Sequence, residues 1–382
     1  MTSAPQPVWD VAVIGAGPAG AAAARTAART GASTLLLERA ELPRYKRCGG
    51  GLIGASQQAL AEAGLDLLPL ARDHVGRVTF THRGRRLFTR SSPAFLPMVL
   101  RSELDAALVQ LAVAAGAQLR TGVLVTGLTS DSAGNGDLLT LATSTGPVLA
   151  RAVVGADGSA SRAAAYVGVV CDQVDLGLEA EFPMPSGGDW TGRVLLDWGP
   201  VPGSYGWVFP KGDLLTVGVI GAREHGPALR DYYRGFVAAQ GLDLATAVQD
   251  GGHLTRVRTD ASPLRRGSVL VAGDAAGLLE PWTREGISFA LRSGTLAGHA
   301  AATDPATYDQ AVRQLLGADV AAGRVALRVF SRHPALVHLL LRLLPGMWPL
   351  FGRLVSGQTT LVEQLGRRRG RALVRLFSGP AA

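Results

Sequence analysis

Residues 8–20 read Val8-Trp9-Asp10-Val11-Ala12-Val13-Ile14-Gly15-Ala16-Gly17-Pro18-Ala19-Gly20. A short apolar run bounded by glycine predicts a buried parallel strand, and the Ala-rich stretch 18–30, ended by Gly31, predicts a helix. Residues 33–38, Ser33-Thr34-Leu35-Leu36-Leu37-Glu38, supply a second strand. A G-x-G-x-x-G spacing that leaves a strand and opens a helix within this strand–helix–strand order is the context that gives the motif its meaning.

Each glycine then has a separate task. Gly15 permits the tight turn, Gly17 lets backbone approach a pyrophosphate, and Gly20 lets the helix pack on the strand. The free N–H groups and partial positive charge at the helix start attract that anion. Glu38 lies eighteen residues beyond Gly20, where a carboxylate accepts hydrogen bonds from an adenosine ribose and disfavours a 2′-phosphate. FAD or NAD therefore fits as the bound dinucleotide, and NADP does not.

The rest of the chain is read more coarsely. Residues 102–115 predict a helix with Ser102 as N-cap, and 118–129 and 138–154 alternate like antiparallel strands. From 166 to 260 the chain is richer in Trp, Pro and Gly, with strand patterns near 192–198, 205–210 and 214–220 and a helix near 227–240. An apolar strand at 268–272 precedes a helix at about 285–300, and everything from 305 reads as helical and basic.

The expected fold class is α/β: a doubly wound dinucleotide-binding domain, for FAD or NAD, with an inserted β-sheet substrate domain and a C-terminal helical region. The expected division is 1–165 for the dinucleotide domain, with a small substrate-side excursion near 70–100, then 166–260 for the sheet domain. Residues 261–304 return to the first domain, and 305–382 form the basic helical region.

Composition narrows the setting. The net charge of +8 is concentrated at one end, since ten arginines and a single acid, Glu363, follow residue 322. The remainder is close to neutral, so no nucleic-acid face is implied. An N-terminus without signal-peptide character and only two cysteines, Cys48 and Cys171, point to a reducing cytoplasm. No metal site is expected.

Further motifs carry a family resemblance. Leu100-Arg101-Ser102-Glu103-Leu104-Asp105 resembles the R-x-x-L-D segment of para-hydroxybenzoate-hydroxylase-like flavoproteins. Gly155-Ala156-Asp157-Gly158-Ser159 with Ser161-Arg162 resembles their DG motif, and Gly273-Asp274-Ala275-Ala276-Gly277 with Pro281 and Glu285-Gly286-Ile287 resembles their GD motif. The resemblance implies FAD, with Arg101 reaching the cofactor, Asp274 holding the ribityl chain, and the backbone at Gly286 beside the flavin pyrimidine. It also makes Ala19, Arg39, Val125, Asp157 and Ile287 cofactor contacts.

Two segments narrow the family. Pro43-Arg44-Tyr45-Lys46-Arg47-Cys48-Gly49-Gly50-Gly51-Leu52 and Tyr205-Gly206-Trp207-Val208-Phe209-Pro210-Lys211 both resemble segments of geranylgeranyl reductases. The first implies that Cys48, Gly49 and Gly51 lie against the isoalloxazine; the second implies that Tyr205 and Trp207 line a lipid cavity. Glycines let backbone crowd a flat ring, and Tyr205 and Trp207 alternate onto one strand face. Cys48 also reads as a small buried hydrophobe, and the two aromatics as ordinary core.

The expected activity is FAD-dependent saturation of isolated alkenes in a geranylgeranyl-type chain, with NADPH or NADH as the electron source. Cys48, Tyr205 and Trp207 are the candidate catalytic residues. No second dinucleotide fingerprint is visible, so a nicotinamide would dock transiently. The alternatives are a flavin monooxygenase or halogenase on the same fold, and a non-catalytic flavin carrier.

One departure stands out: Thr283-Arg284-Glu285-Gly286 puts a guanidinium where the reductases keep a glycine. Arg284 has three readings, toward the flavin's carbonyl edge, toward the substrate, or toward solvent.

Residues 335–355 are apolar but interrupted by His338, Arg342, Pro345 and Arg353, which predicts a broken amphipathic pair rather than a span of about 20 residues. With Arg367, Arg368, Arg369, Arg371 and Arg375 behind it, this tail reads either as a peripheral contact with an anionic membrane, delivering a prenyl-lipid substrate, or as a solvated helical cap.

Overall fold

The computed structural model describes residues 7–131, 138–187 and 189–367. The opening strand–helix–strand forms as β1 (Val8–Ile14), α1 (Pro18–Arg29) and β2 (Thr34–Leu37). Then come α2 (Gly54–Glu62), a long hairpin of β3 (Ala71–His82) and β4 (Arg85–Val99), and α3 (Arg101–Ala114). The strands β5 (Gln118–Arg120), β6 (Val125–Asp131), β7 (Leu138–Thr143) and β8 (Val148–Gly155) precede α4 (Arg162–Val167).

The second half continues with β9 (Cys171–Pro183), β10 (Arg193–Trp198), β11 (Tyr205–Lys211) and β12 (Leu214–Ala222), then α5 (Gly226–Ala239) and β13 (Gln249–Arg258). Short β14 (Arg265–Arg266) and β15 (Val269–Val271) lead to α6 (Ile287–Ala302), α7 (Tyr308–Arg332), α8 (Pro334–Leu343), α9 (Met347–Val355) and α10 (Leu361–Gly366).

Two sheets organise these elements, and the fold is the mixed α/β flavoprotein type. The first runs β14-β15-β8-β1-β2-β5, with β7 pairing β8 and β6 pairing β7. Its centre is parallel, and its strands are continuous apolar runs: Val11–Ile14, Leu35–Leu37, Val153 and Val154 are buried. Gly294 and Gly298 let α6 lie directly on α1, since a Cβ at Gly294 would stand 2.2 Å from the Ala19 carbonyl oxygen. That contact returns the third chain segment to the first.

The second sheet runs β13-β9-β12-β11-β10-β3-β4, antiparallel except where β10 pairs β3. It takes two long strands from residues 71–99 in addition to those between 171 and 258.

Two local expectations change. α3 begins at Arg101 after an N-cap at Leu100, so Ser102 sits inside the first turn and caps nothing. Residues 118–129 are not one antiparallel strand: β5 pairs β2 in parallel, and only β6 joins the antiparallel β6-β7-β8 ribbon. A strand's partner is a long-range fact that its own alternation does not contain.

Candidate active site

A continuous cleft of about 1650 Å³ runs between the two sheets. That exceeds the roughly 300–1,000 Å³ of a usual small-molecule site, leaving room for a dinucleotide and a second ligand together.

At one end the β1–α1 turn forms as its sequence predicts. Gly15 has φ +95°, and a Cβ there would lie 2.5 Å from the Ala156 carbonyl oxygen. Gly17 and Ala19 face the cleft, whereas Gly20 does not; its missing side chain lets α1 sit on the Gly15 carbonyl. The Glu38 carboxylate, at the end of β2, accepts the Ala16 N–H at 2.8 Å and lies 3.4 Å from Arg44. Arg39 lines the cleft beside it, and Val125 closes the opposite wall.

The other motifs converge along the same wall. Asp274 and Asp157 both border the cleft. Burial raises the Asp157 carboxyl above its ordinary range, against the opposing hydrogen bonds from Ser161 and the Arg162 N–H. Gly286 is the N-cap of α6 and Ile287 opens that helix, and both border the cleft; Glu285 accepts the Ser288 N–H at 2.8 Å, which leaves the Gly286–Ile287 end of the helix dipole toward the cleft. Turn, acid and two helix starts together fit a flavin dinucleotide.

Arg101 has a more definite place than its motif implies. Its Nε and Nη2 donate to Asp105 at 2.8 and 2.9 Å. Burial would lower the Arg101 pKa, but Asp105 outweighs that and raises it. Arg44 also reaches Asp105, at 3.2 Å.

The cysteine segment is clasped from the second sheet. The Cys48 N–H donates to Glu179 at 3.0 Å, and Lys211 Nζ donates to the Cys48 carbonyl at 2.8 Å and to Glu181 at 2.9 Å. Burial raises the Glu179 carboxyl, against the lowering effect of Lys211. Gly49 lies so close to the aromatic strand that a Cβ would come within 2.9 Å of Phe209. Gly51 also lines the cleft.

Tyr205, Trp207 and Phe209 share one face of β11, with ring centroids 5.9 and 6.3 Å apart in succession. The Tyr205 hydroxyl donates to the Thr283 carbonyl, and burial raises its pKa. That proton is already engaged, so Tyr205 serves better as wall than as acid. Trp207 is buried, and its Nε1 has no partner among the described residues.

Arg284 does not take the path toward solvent: its side chain is buried in the lining of the cleft. It sits at φ +58°, in the left-handed region a glycine would occupy freely, and its buried side chain pairs with Asp175 at 3.0 Å. Nη1 also donates to the Gly203 and Trp282 carbonyls, and the guanidinium lies 5.7 Å from the Tyr205 ring centroid.

Glu179, Glu181 and Asp175 are site residues that sequence reasoning missed. The signal was present, because Leu178-Glu179-Ala180-Glu181-Phe182 places two acids in an apolar strand, and buried charges need partners. His253 was also missed. It borders the cleft, and burial depresses its pKa to about 4.

Residues 8–177 match the model of the FAD binding domain family. The chain is 31% identical to a menaquinone reductase from Mycolicibacterium smegmatis, over 94% of this chain and 91% of that one. The chain belongs to the geranylgeranyl reductase family of FAD-dependent oxidoreductases. A digeranylgeranylglycerophospholipid reductase from Methanocella arvoryzae is 30% identical, over 81% of this chain and 84% of that one. A geranylgeranyl bacteriochlorophyll reductase-like structure from Thermoplasma acidophilum superposes with TM-score 0.72 at 20% identity, covering 98% of this chain and 97% of that one. A flavin-dependent brominase gives TM-score 0.72 at 18% identity, over 97% and 98%. These two structures show the fold that this reductase-family member shares with other flavoprotein chemistries.

Proposed function

We propose that this enzyme saturates isolated alkenes in a prenyl chain. The observation that carries this reading is the continuity of the cleft. From the dinucleotide end it passes Cys48 and enters an arm bordered by Tyr205, Trp207, Phe209 and, on the far side, Phe351, Leu354 and Val355 of α9. An arm with such walls suits a long apolar chain. The names of the relatives support it, since menaquinone and digeranylgeranylglycerophospholipid both carry polyprenyl chains.

FAD, held by Glu38, Asp274 and the α1 and α6 starts, would supply hydride after reduction by NADPH or NADH. The protein's own residues do the rest. The aromatic strand excludes water and orients the chain. An isolated alkene is not electrophilic, so a proton must arrive together with the hydride. Cys48 is the group we assign to that end of the cavity, because Glu179 and Lys211 fix its backbone on both sides. We further propose a cytoplasmic setting for this activity.

Anaerobic reduction of the yellow protein tests this directly. A prenyl lipid added without oxygen should reoxidise the flavin. Reoxidation by oxygen alone, with the lipid inert, would favour the second reading, a monooxygenase or halogenase, which the shared fold with the brominase keeps in view.

A further inference from the structure

The corner between α8 and α9 is built against the usual pattern of a water-facing helix pair, which keeps its outer face polar. Leu339, Leu343 and Leu344 are 47%, 62% and 49% exposed, and Pro345 and Gly346 beside them are exposed too. The inner faces are satisfied. Leu341 and His338 are buried, with His338 5.1 Å from Phe88, while Trp348 and Phe351 pack on Phe80 at 6.5 and 5.4 Å. The outward leucines are therefore not leftover core.

Charge distinguishes the surface that would cover them. Between Asp319 and Glu363 the chain carries five arginines and no acid. Arg342 and Arg353 stand exposed at the corner and on the outer side of α9, and Arg90 donates to the Arg342 carbonyl from β4. Leucines in the middle with long cationic side chains at the edge match a bilayer interface bearing anionic head groups. The two helices meet at 106°, and each is far shorter than the roughly 20 residues a crossing needs, so they lie in the interface and do not span it. The opposite side of α9 supplies Phe351, Leu354 and Val355 to the cleft wall.

The geometry points to a membrane-docking corner: we propose that Leu339, Leu343 and Leu344 enter the surface of an anionic bilayer, held there by Arg342 and Arg353, with the apolar arm of the cleft behind α9. This goes beyond the assignment of alkene reduction and does not depend on it.

Sedimentation of the flavin-loaded full chain with vesicles tests it without any turnover. The protein should pellet with vesicles of phosphatidylcholine and phosphatidylglycerol, less with phosphatidylcholine alone, and less again in high salt. The L343D/L344D variant should keep its flavin absorbance and bind about tenfold less. Should that variant fail to fold, R342E/R353E must lose binding to the phosphatidylglycerol vesicles. Wild-type protein that stays in the supernatant with both vesicle types, or leucine-to-aspartate variants that bind like wild type, would overturn it. So would a dimer formed without lipid and split by L343D/L344D. Loss of vesicle binding would leave the reductase reading standing, and absence of alkene reduction would leave docking standing.

Discussion

Arg284 and Asp175 meet at 3.0 Å with both side chains out of water, 109 residues apart in the chain. The pair ties the loop before α6 to β9, and it places a cation over the ring of Tyr205. Removing Asp175 alone leaves a buried, uncompensated guanidinium, so D175A should cost about 3–5 kcal/mol in urea unfolding. Adding R284G should recover about 1–2 kcal/mol, because it removes that charge and puts glycine at a positive φ. A double variant no more stable than D175A would contradict this.

Lys211 holds the cysteine segment through a backbone carbonyl. K211M should leave Glu181 unpaired and loosen residues 48–51, costing about 3–5 kcal/mol, and K211M/E181Q should lose less. FAD should also leave K211M faster, which fluorescence of the released flavin would report. Unchanged stability and release would remove Lys211 from the site.

Glu38 and Asp274 should each matter for flavin affinity. Hydrogen bonds to a charged group contribute about 1.5–3 kcal/mol, so E38A and D274A should each raise the FAD Kd by tenfold or more. Titration of flavin-free protein measures this. Equal affinity in both variants would mean the dinucleotide lies elsewhere.

His253 gives a pH dependence of defined sign. Burial lowers its pKa to about 4 from an ordinary value near 6.5. In that window the unfolded chain binds the proton and the folded one does not. The stability is therefore complete above pH 6.5 and declines as pH falls toward 4, by about 3 kcal/mol. H253Q in the flavin-free protein should show a flatter profile between those values, and an identical slope would contradict it.

The sequence was most legible where structure is local. The turn at Gly15, the helix to Arg29 and the acid at Glu38 follow from spacing over thirty residues, and all three form. The broken pair at 334–355 was legible for the same reason, since Pro345 and the arginines interrupt one apolar run. What escaped was pairing across the chain. Asp175 under Arg284, Glu179 on the Cys48 amide and the parallel partner of β5 each depend on which strand folds beside which. Arginines 368, 369, 371 and 375, part of the basic tail, lie outside the described residues.

Cys48 variants separate a chemical role from a packing one. C48S changes one atom and leaves the backbone contacts to Glu179 and Lys211 in place. It should retain FAD and lose most alkene reduction, measured as product formed per flavin. Full turnover in C48S would make Cys48 a packing residue only.

The most direct measurement is the mass of the product formed from a geranylgeranyl-bearing substrate by the reduced protein. The account predicts a gain of two hydrogens for each alkene consumed, with no oxygen incorporated. A product heavier by one oxygen atom would contradict it.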